Sequence, residues 1–247
     1  MEGTAGQSLQ GCPTLHHLSS SQSLRVLWAL EELSAHNGQR YTLKTYKRHM
    51  GRAPSELKSV FPLGKSPILV VDPDPAALEQ QPRVVTESRL ILQYLSDNYA
   101  QGNWEPINLP DKVRNEYFQE FANSTLAMKA NFVMVFDIIP SHSPWFVRPL
   151  VSGMFNFVAA HYKNDLVAPF ELMEAALSDQ SPWFAGQKLG LADFCMSWPM
   201  DLASQRGYFD EKQYPKVADW HRRVCERPAY KAALAKGGPY NLVTFDF

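Results

Sequence analysis

Cysteine is scarce in this chain: three residues in 247, Cys12, Cys195 and Cys225, far apart and with no Cys-x-x-Cys pair. An odd, dispersed set excludes a disulfide scaffold and matches the usage of a reducing compartment. An excess of charge is missing too. Lys and Arg number 24 against 25 Asp and Glu, which gives no electrostatic footprint for a nucleic-acid partner. No apolar run approaches the roughly twenty residues of a membrane-spanning helix. The first eleven residues contain no Lys or Arg, unlike a secretory or mitochondrial leader. These absences lead us to expect a cytoplasmic protein with neither nucleic acid nor membrane as partner, and residues 1–12 as a flexible extension.

Several chemical signatures are absent as well. Pro62-Leu63-Gly64-Lys65-Ser66 lacks the first glycine of a phosphate-binding loop. No Gly-x-Ser-x-Gly elbow supports a hydrolase. His16 and His17 are adjacent, so on a strand they project to opposite faces. With no third ligand at a telling spacing, no metal site is expected.

What is present is 45% hydrophobic residues, enough to build a core without metal or disulfide. Residues 14–99 alternate short strand-like and helix-like segments. Residues 14–18, 41–46, 68–71 and 83–86 read as strands; 24–35, 54–60 and 88–99 read as helices. Leu24, Leu27, Leu30 and Leu33 mark one helical face, and Leu90, Ile91, Tyr94 and Leu95 should point inward from another. Residues 72–82, rich in Pro, Asp and Gln, read as an extended loop. The order β-α-β-α-β-β-α is a thioredoxin-like plan. After a linker near 101–110 the pattern becomes helical, with runs over 113–136, 150–177, 191–205, 216–225 and 229–236. Pro140, Pro144 and Pro149 separate the first two. The expected domains are therefore 13–100, thioredoxin-like, and 111–247, all-helical.

Four local features stand out. The turn Ser19-Ser20-Ser21-Gln22-Ser23 opens the first helix, where unpaired N–H groups and partial positive charge gather. A serine there suits helix capping, and its hydroxyl can also donate to a thiolate. Pro62-Leu63-Gly64-Lys65-Ser66-Pro67-Ile68 leads into the third strand. Glu87-Ser88 opens the helix after the fourth strand, at a helix N-terminus suited to a carboxylate. Gly190-Leu191-Ala192-Asp193 has the acidic half of a capping box, and Leu189 with Phe194 has the spacing of a hydrophobic staple.

Together these features resemble the cytosolic glutathione transferase family, in particular its fungal and bacterial members, over residues 14 to about 235. The resemblance implies that glutathione is the cosubstrate. It makes Ser21 the favoured activating hydroxyl, with Ser23 and Ser20 behind it. It makes Pro67 cis, so that the Ser66 backbone holds the cysteinyl part of glutathione by strand addition, with Lys65 and Arg52 near the ligand's carboxylate. Glu87 and Ser88 would grip the γ-glutamyl end. Asp193 is read as structural. Tyr117, Phe118, Phe121 and Met128 are the candidates for the wall of the electrophile site. Gln22 departs from the pattern, because many relatives carry Arg there.

The implied activity is attack of an activated glutathione thiolate on a small hydrophobic electrophile, as in detoxification or secondary metabolism. A second reading keeps the first step and reverses it: thiolate addition, bond rotation and release, giving cis–trans isomerisation of a polyene or enone. A third is a transferase-like binding or regulatory module without chemistry. The family is usually dimeric, so a homodimer is expected.

Overall fold

The computed structural model describes residues 11–73 and 81–245. The expected N-terminal extension, apart from Gly11 and Cys12, and most of the loop over 72–82 lie outside the described residues.

Strands β1 (Pro13–Leu18), β2 (Thr42–Tyr46), β3 (Ile68–Val71) and β4 (Arg83–Thr86) form one sheet in the order β2-β1-β3-β4. β1 runs parallel to β2, with Leu15 opposite Leu43, and antiparallel to β3, with Leu15 opposite Leu69. β4 pairs antiparallel to β3 as the returning arm of the hairpin. The parallel β1–β2 pair needs a crossover, and α1 (Ser23–Asn37) supplies it. Ten residues of α1 are buried, including Trp28 and Arg25, because the helix is covered by the sheet and also by α3 (Ser88–Tyr99), α8 (Leu191–Gln205) and α10 (Pro228–Gly237). α1 ends at Gly38, whose φ of 74° is the left-handed conformation that a glycine adopts at least cost.

The second half is helical throughout. α4 (Leu109–Glu120) starts at Asn108, whose side chain accepts from the N–H of Asp111 at 2.8 Å. A π-helical stretch, Phe121–Leu126, joins α4 to α5 (Ala127–Ser141). The run expected over 113–136 is therefore two helices around a π turn. The run expected over 150–177 is also divided, into α6 (Arg148–Asn164) and α7 (Val167–Ala176). α9 (Pro215–Glu226) and α10 each begin with proline at the first turn, where no backbone donor is lost. The element expected over 54–60 shrinks to a single turn, α2 (Leu57–Val60), as the backbone from Pro54 makes turns first.

One core runs through both halves. Trp28 packs edge-on to Phe194 and Tyr230, tying α1 to α8 and α10. A smaller cluster joins Ala127, Ala130, Trp198 and Leu202 to Leu242 and Phe245 of the C-terminal tail. Asp193 is fully buried and accepts from the N–H groups of Gly190, Phe184 and Ala185 and from the indole of Trp220. It serves the Gly190 turn and the core together. One expectation about facing fails. Leu90 is 55% exposed and Leu92 is buried in its place, because α3 turns its Ile91–Leu92–Leu95 side to α1.

Candidate active site

The end of β1 and the start of α1 make the centre of the site. Ser20 takes a left-handed φ of 48°, and the turn then feeds α1. The Ser21 hydroxyl donates to the Leu18 carbonyl at 2.8 Å and accepts from the Ser23 N–H at 3.1 Å. It therefore closes the turn that leads into α1, while Ser21 lines a cavity of about 770 Å³. Ser23 is a correction. Its hydroxyl is fully buried and pairs with His17 Nδ1 at 2.9 Å, pointing away from the cavity. His17 Nε2 lies 3.1 Å from the Gly237 carbonyl and so carries the proton, which leaves Nδ1 to accept from Ser23. Burial lowers the pKa of His17 to about 4 against the hydrogen bonds of Gly237 and Ser23, so the pair is neutral and structural. His16 points the other way, to the hydroxyl of Tyr46 at 2.8 Å.

Ser66 stands beside Ser21 because its hydroxyl bridges β1, donating to the His16 carbonyl at 2.9 Å and accepting from the Leu18 N–H at 3.0 Å. The Ser66–Pro67 peptide is cis. Ser66, Lys65 and Arg52 line the same cavity as Ser21. Arg48 and Lys58 line it too, and among the described residues no carboxylate does, so this part of its wall favours an anion.

A second cavity of about 600 Å³ holds Glu87 and Ser88. Glu87 has a φ of 64°, unusual for a residue other than glycine, and precedes the first turn of α3. The two cavities share Gln22, Asn131 and Val135 and so form one cleft. Its far wall is α5, with Met128, Phe132 and Val135 at one end and Met134 and Ile138 at the other.

Of the four aromatic and apolar candidates for that wall, only Met128 lines either cavity. Phe118 and Phe121 are buried in the core; Phe118 meets Phe184 at 4.7 Å between ring centroids. Tyr117, 48% exposed, stacks on Phe121 outside the cleft. The π stretch accounts for the difference. It adds residues to the turn before α5, so a face extrapolated from α4 at α-helical period misses the cleft.

Two residues of this cleft escape a reading of motifs. Arg25 is 1% exposed, lines the Glu87–Ser88 cavity and donates to Asn123 at 2.9 Å, to the Cys195 carbonyl at 3.1 Å, and to Ser88 and Gln22. It makes no ion pair with a carboxylate among the described residues. Burial lowers its pKa, and the nearby Glu87 is among the groups that offset this. The signal in the sequence is a single charge set within the apolar run Leu24-Arg25-Val26-Leu27-Trp28. Asn123 is the second, and it reaches Arg25 from the π stretch.

Known proteins can be set beside this geometry. Residues 13–97 match the family model for the glutathione S-transferase N-terminal domain, and residues 157–228 match that for the C-terminal domain. The chain is 30% identical over 234 residues to glutathione S-transferase 3 of Schizosaccharomyces pombe, covering 94% of this chain and 90% of the relative. Among solved structures it resembles a glutathione S-transferase from Actinobacillus pleuropneumoniae, with a TM-score of 0.70 and 26% identity over 95% of this chain and 96% of the other. It shares the fold of the glutathione transferase URE2P8 from Phanerochaete chrysosporium, solved with oxidized glutathione, at a TM-score of 0.69 and 21% identity over 95% and 97% of the two chains. A four-stranded thioredoxin-like half followed by a helical half, matched on both sides by these models and relatives, makes this chain a member of the glutathione S-transferase family.

Proposed function

We propose that this chain binds glutathione and activates its thiol beside Ser21 for attack on a small hydrophobic electrophile. The observation that carries the reading is the single cleft in which Ser66, Ser21 and Gln22 lie between a cationic end, with Arg52 and Lys65, and a carboxylate-reading end, with Ser88 and Arg25. The γ-glutamyl ammonium suits Glu87, its α-carboxylate suits Ser88 and Arg25, and the glycyl carboxylate suits Arg52 and Lys65. That arrangement holds the cysteinyl thiol between the two ends, at the start of α1. There the helix N-terminus and a hydroxyl both favour the thiolate. The Ser21 O–H, now donated to the Leu18 carbonyl, turns about its Cβ–Oγ bond to donate a hydrogen bond to the sulfur, and the proton stays on the serine oxygen. The Gln22 carboxamide oxygen accepts from Arg25, which turns its N–H groups into donors for the cleft. The apolar wall of α5 supplies the place for an electrophile.

The reading includes a cytoplasmic homodimer. Leu90, Val113 and Tyr117 are all exposed on α3 and α4 and offer apolar surface to a second copy. Among the described residues no helix is long and apolar enough to cross a membrane.

Equilibrium binding of glutathione, followed by turnover of an aryl halide and of a cis-enone, tests the reading. Conjugation leaves glutathione in the product. Recovery of free glutathione with an isomerised enone places the activity with the reversible reaction. Binding of glutathione without turnover of either probe leaves the non-catalytic module.

A further inference from the structure

A buried carboxylate on α8 gathers groups of a different chemistry from those of the cleft. Asp201 accepts at Oδ2 from the hydroxyls of Tyr230, at 2.7 Å, and Tyr240, at 2.8 Å. These two donors fix the plane of the carboxylate and leave Oδ1 to α9. There His221 Nε2 lies 2.8 Å from Oδ1, and Cys225 Sγ lies 3.7 Å from the same nitrogen. His221 and Cys225 are one helical turn apart on α9 and share a face. One ligand atom from each of the three residues lies within 4.8 Å of the other two. Asp201 is buried, whereas His221 and Cys225 are partly exposed, so the group can be reached from solvent. None of the three lines either cavity of the cleft.

A carboxylate paired with an imidazole needs no thiol beside it. Oxygen, nitrogen and sulfur together are the donor set of zinc; calcium and magnesium take oxygen alone. Bonds of about 2.0–2.3 Å around tetrahedral zinc put the ligand atoms about 3.3–3.6 Å apart. The observed 2.8 Å and 3.7 Å bracket that span. The two tyrosine hydroxyls orient the carboxylate as outer partners orient the ligands of a metal site. One carboxylate and one thiolate also balance the two charges of the ion, so the complex is neutral and its burial costs little. The sequence hides this set because Asp201 comes from a different helix than His221 and Cys225.

We propose that Asp201, His221 and Cys225 form a binding site for one zinc ion, with water in the fourth position. On binding, the Cys225 thiol releases its proton to solvent and the sulfur coordinates as thiolate. His221 coordinates through the Nε2 lone pair and keeps its proton at Nδ1. With zinc withheld, Nε2 falls back on its bond to Asp201. The ion ties α8 to α9, and through Tyr230 and Tyr240 it braces α10 and the tail. Tyr240 stands between Pro239, whose carbonyl accepts from the Ser20 N–H at 3.2 Å, and Asn241, whose N–H donates to the Ser20 hydroxyl at 3.0 Å. The brace therefore extends to the turn before Ser21. The site is independent of the reading of glutathione binding.

The test is equilibrium dialysis of the full chain against zinc, without glutathione or any other thiol, with the bound metal counted by elemental analysis. Wild type is expected to bind one zinc with a Kd below about 10 µM. Cys225→Ser and His221→Gln are each expected to weaken binding at least roughly tenfold, while Cys12→Ser leaves it unchanged. Cobalt in place of zinc is expected to give a thiolate-to-metal charge-transfer band in wild type and none in Cys225→Ser. Circular dichroism and melting curves recorded without metal show which variants are folded, and Cys225→Ser, a change of one atom at a half-exposed position, decides the matter if His221→Gln is not. A wild-type Kd weaker than about 10 µM, binding in folded Cys225→Ser within tenfold of wild type, or loss of the zinc in Cys12→Ser overturns the proposal.

Discussion

The guanidinium of Arg25 donates to the hydroxyl of Ser88 from a position where it is itself almost fully buried. Since Ser88 Oγ accepts this bond, its own proton is free for a ligand oxygen. The cation and the hydroxyl together match one carboxylate, and an interior cation without a protein carboxylate calls for one. Wild type should therefore distinguish glutathione from an analogue whose γ-glutamyl α-carboxylate is an amide by roughly 10- to 100-fold in Kd, the worth of a charged hydrogen bond. Arg25→Met should erase that preference. Calorimetric titration of both ligands against both proteins measures it, and an undiminished preference in Arg25→Met would show that Arg25 only braces Asn123 and Cys195.

The two serines flanking Gln22 should separate cleanly. Ser21→Ala removes a donor at the site of the developing thiolate, so turnover should fall by roughly 10²-fold with glutathione affinity preserved and the acid limb of kcat/KM displaced upward. It also removes the hydroxyl that bonds the Leu18 carbonyl and the Ser23 N–H, a loss of about 1 kcal/mol, visible as a small drop in melting temperature. Ser23→Ala should leave the pH–rate profile where it is, because the hydroxyl faces His17. Steady-state profiles of the two variants decide the matter; identical profiles would return Ser23 to the mechanism.

Stability should peak near neutral pH between two histidines that act in opposite directions. His17, lowered by burial to about 4, refuses a proton that the unfolded chain accepts at about 6.5. Its contribution is complete above pH 6.5 and is lost, by up to about 3 kcal/mol, as pH falls toward 4. His221 is the reverse. Burial alone would lower it, but the Asp201 carboxylate at 2.8 Å, with Cys225, raises it to about 10. Its contribution is complete below pH 6.5 and disappears as pH rises through 10. Urea midpoints across this range should fall on both sides in wild type, with the alkaline limb flattened in His221→Gln. An unchanged alkaline limb in that variant would contradict the pairing.

Asp193 should prove important to the fold and indifferent to the chemistry. Four N–H donors converge on its carboxylate. Asp193→Asn turns an amide toward at least one of them and should cost about 3 kcal/mol, with the kcat of the folded fraction unchanged. Thermal melts and turnover per folded molecule test the two halves separately.

The sheet and most helices are legible in the sequence because their signals are local. Ile68–Val71 is an apolar run bounded by turn residues, and 191–205 is bounded by a cap at Gly190 and a terminus near Gly207. The proposed glutathione end can be placed from the sequence for the same reason, since Ser66-Pro67 and Glu87-Ser88 are short strings at element boundaries. The opposite wall is not. Tyr117, Phe118 and Phe121 do cluster with one another, but Met128 would share their face only if the helix kept its α period, and the π stretch over Phe121–Leu126 breaks that period just before the cleft. Ser23 was ambiguous because a turn of four serines does not say which hydroxyl turns inward; the partner that decides it is His17. Phe245 and Pro239 reach the turn at Ser20 and Ser21 from more than two hundred residues away, a contact made only by tertiary packing.

The most direct test of the account is the thiolate absorbance of glutathione titrated against pH while bound to the wild-type protein. The account predicts a bound thiol with a pKa well below the roughly 8.5 of an unperturbed cysteine, rising in Ser21→Ala. A bound thiol that titrates as it does in free solution, in both proteins, would contradict it.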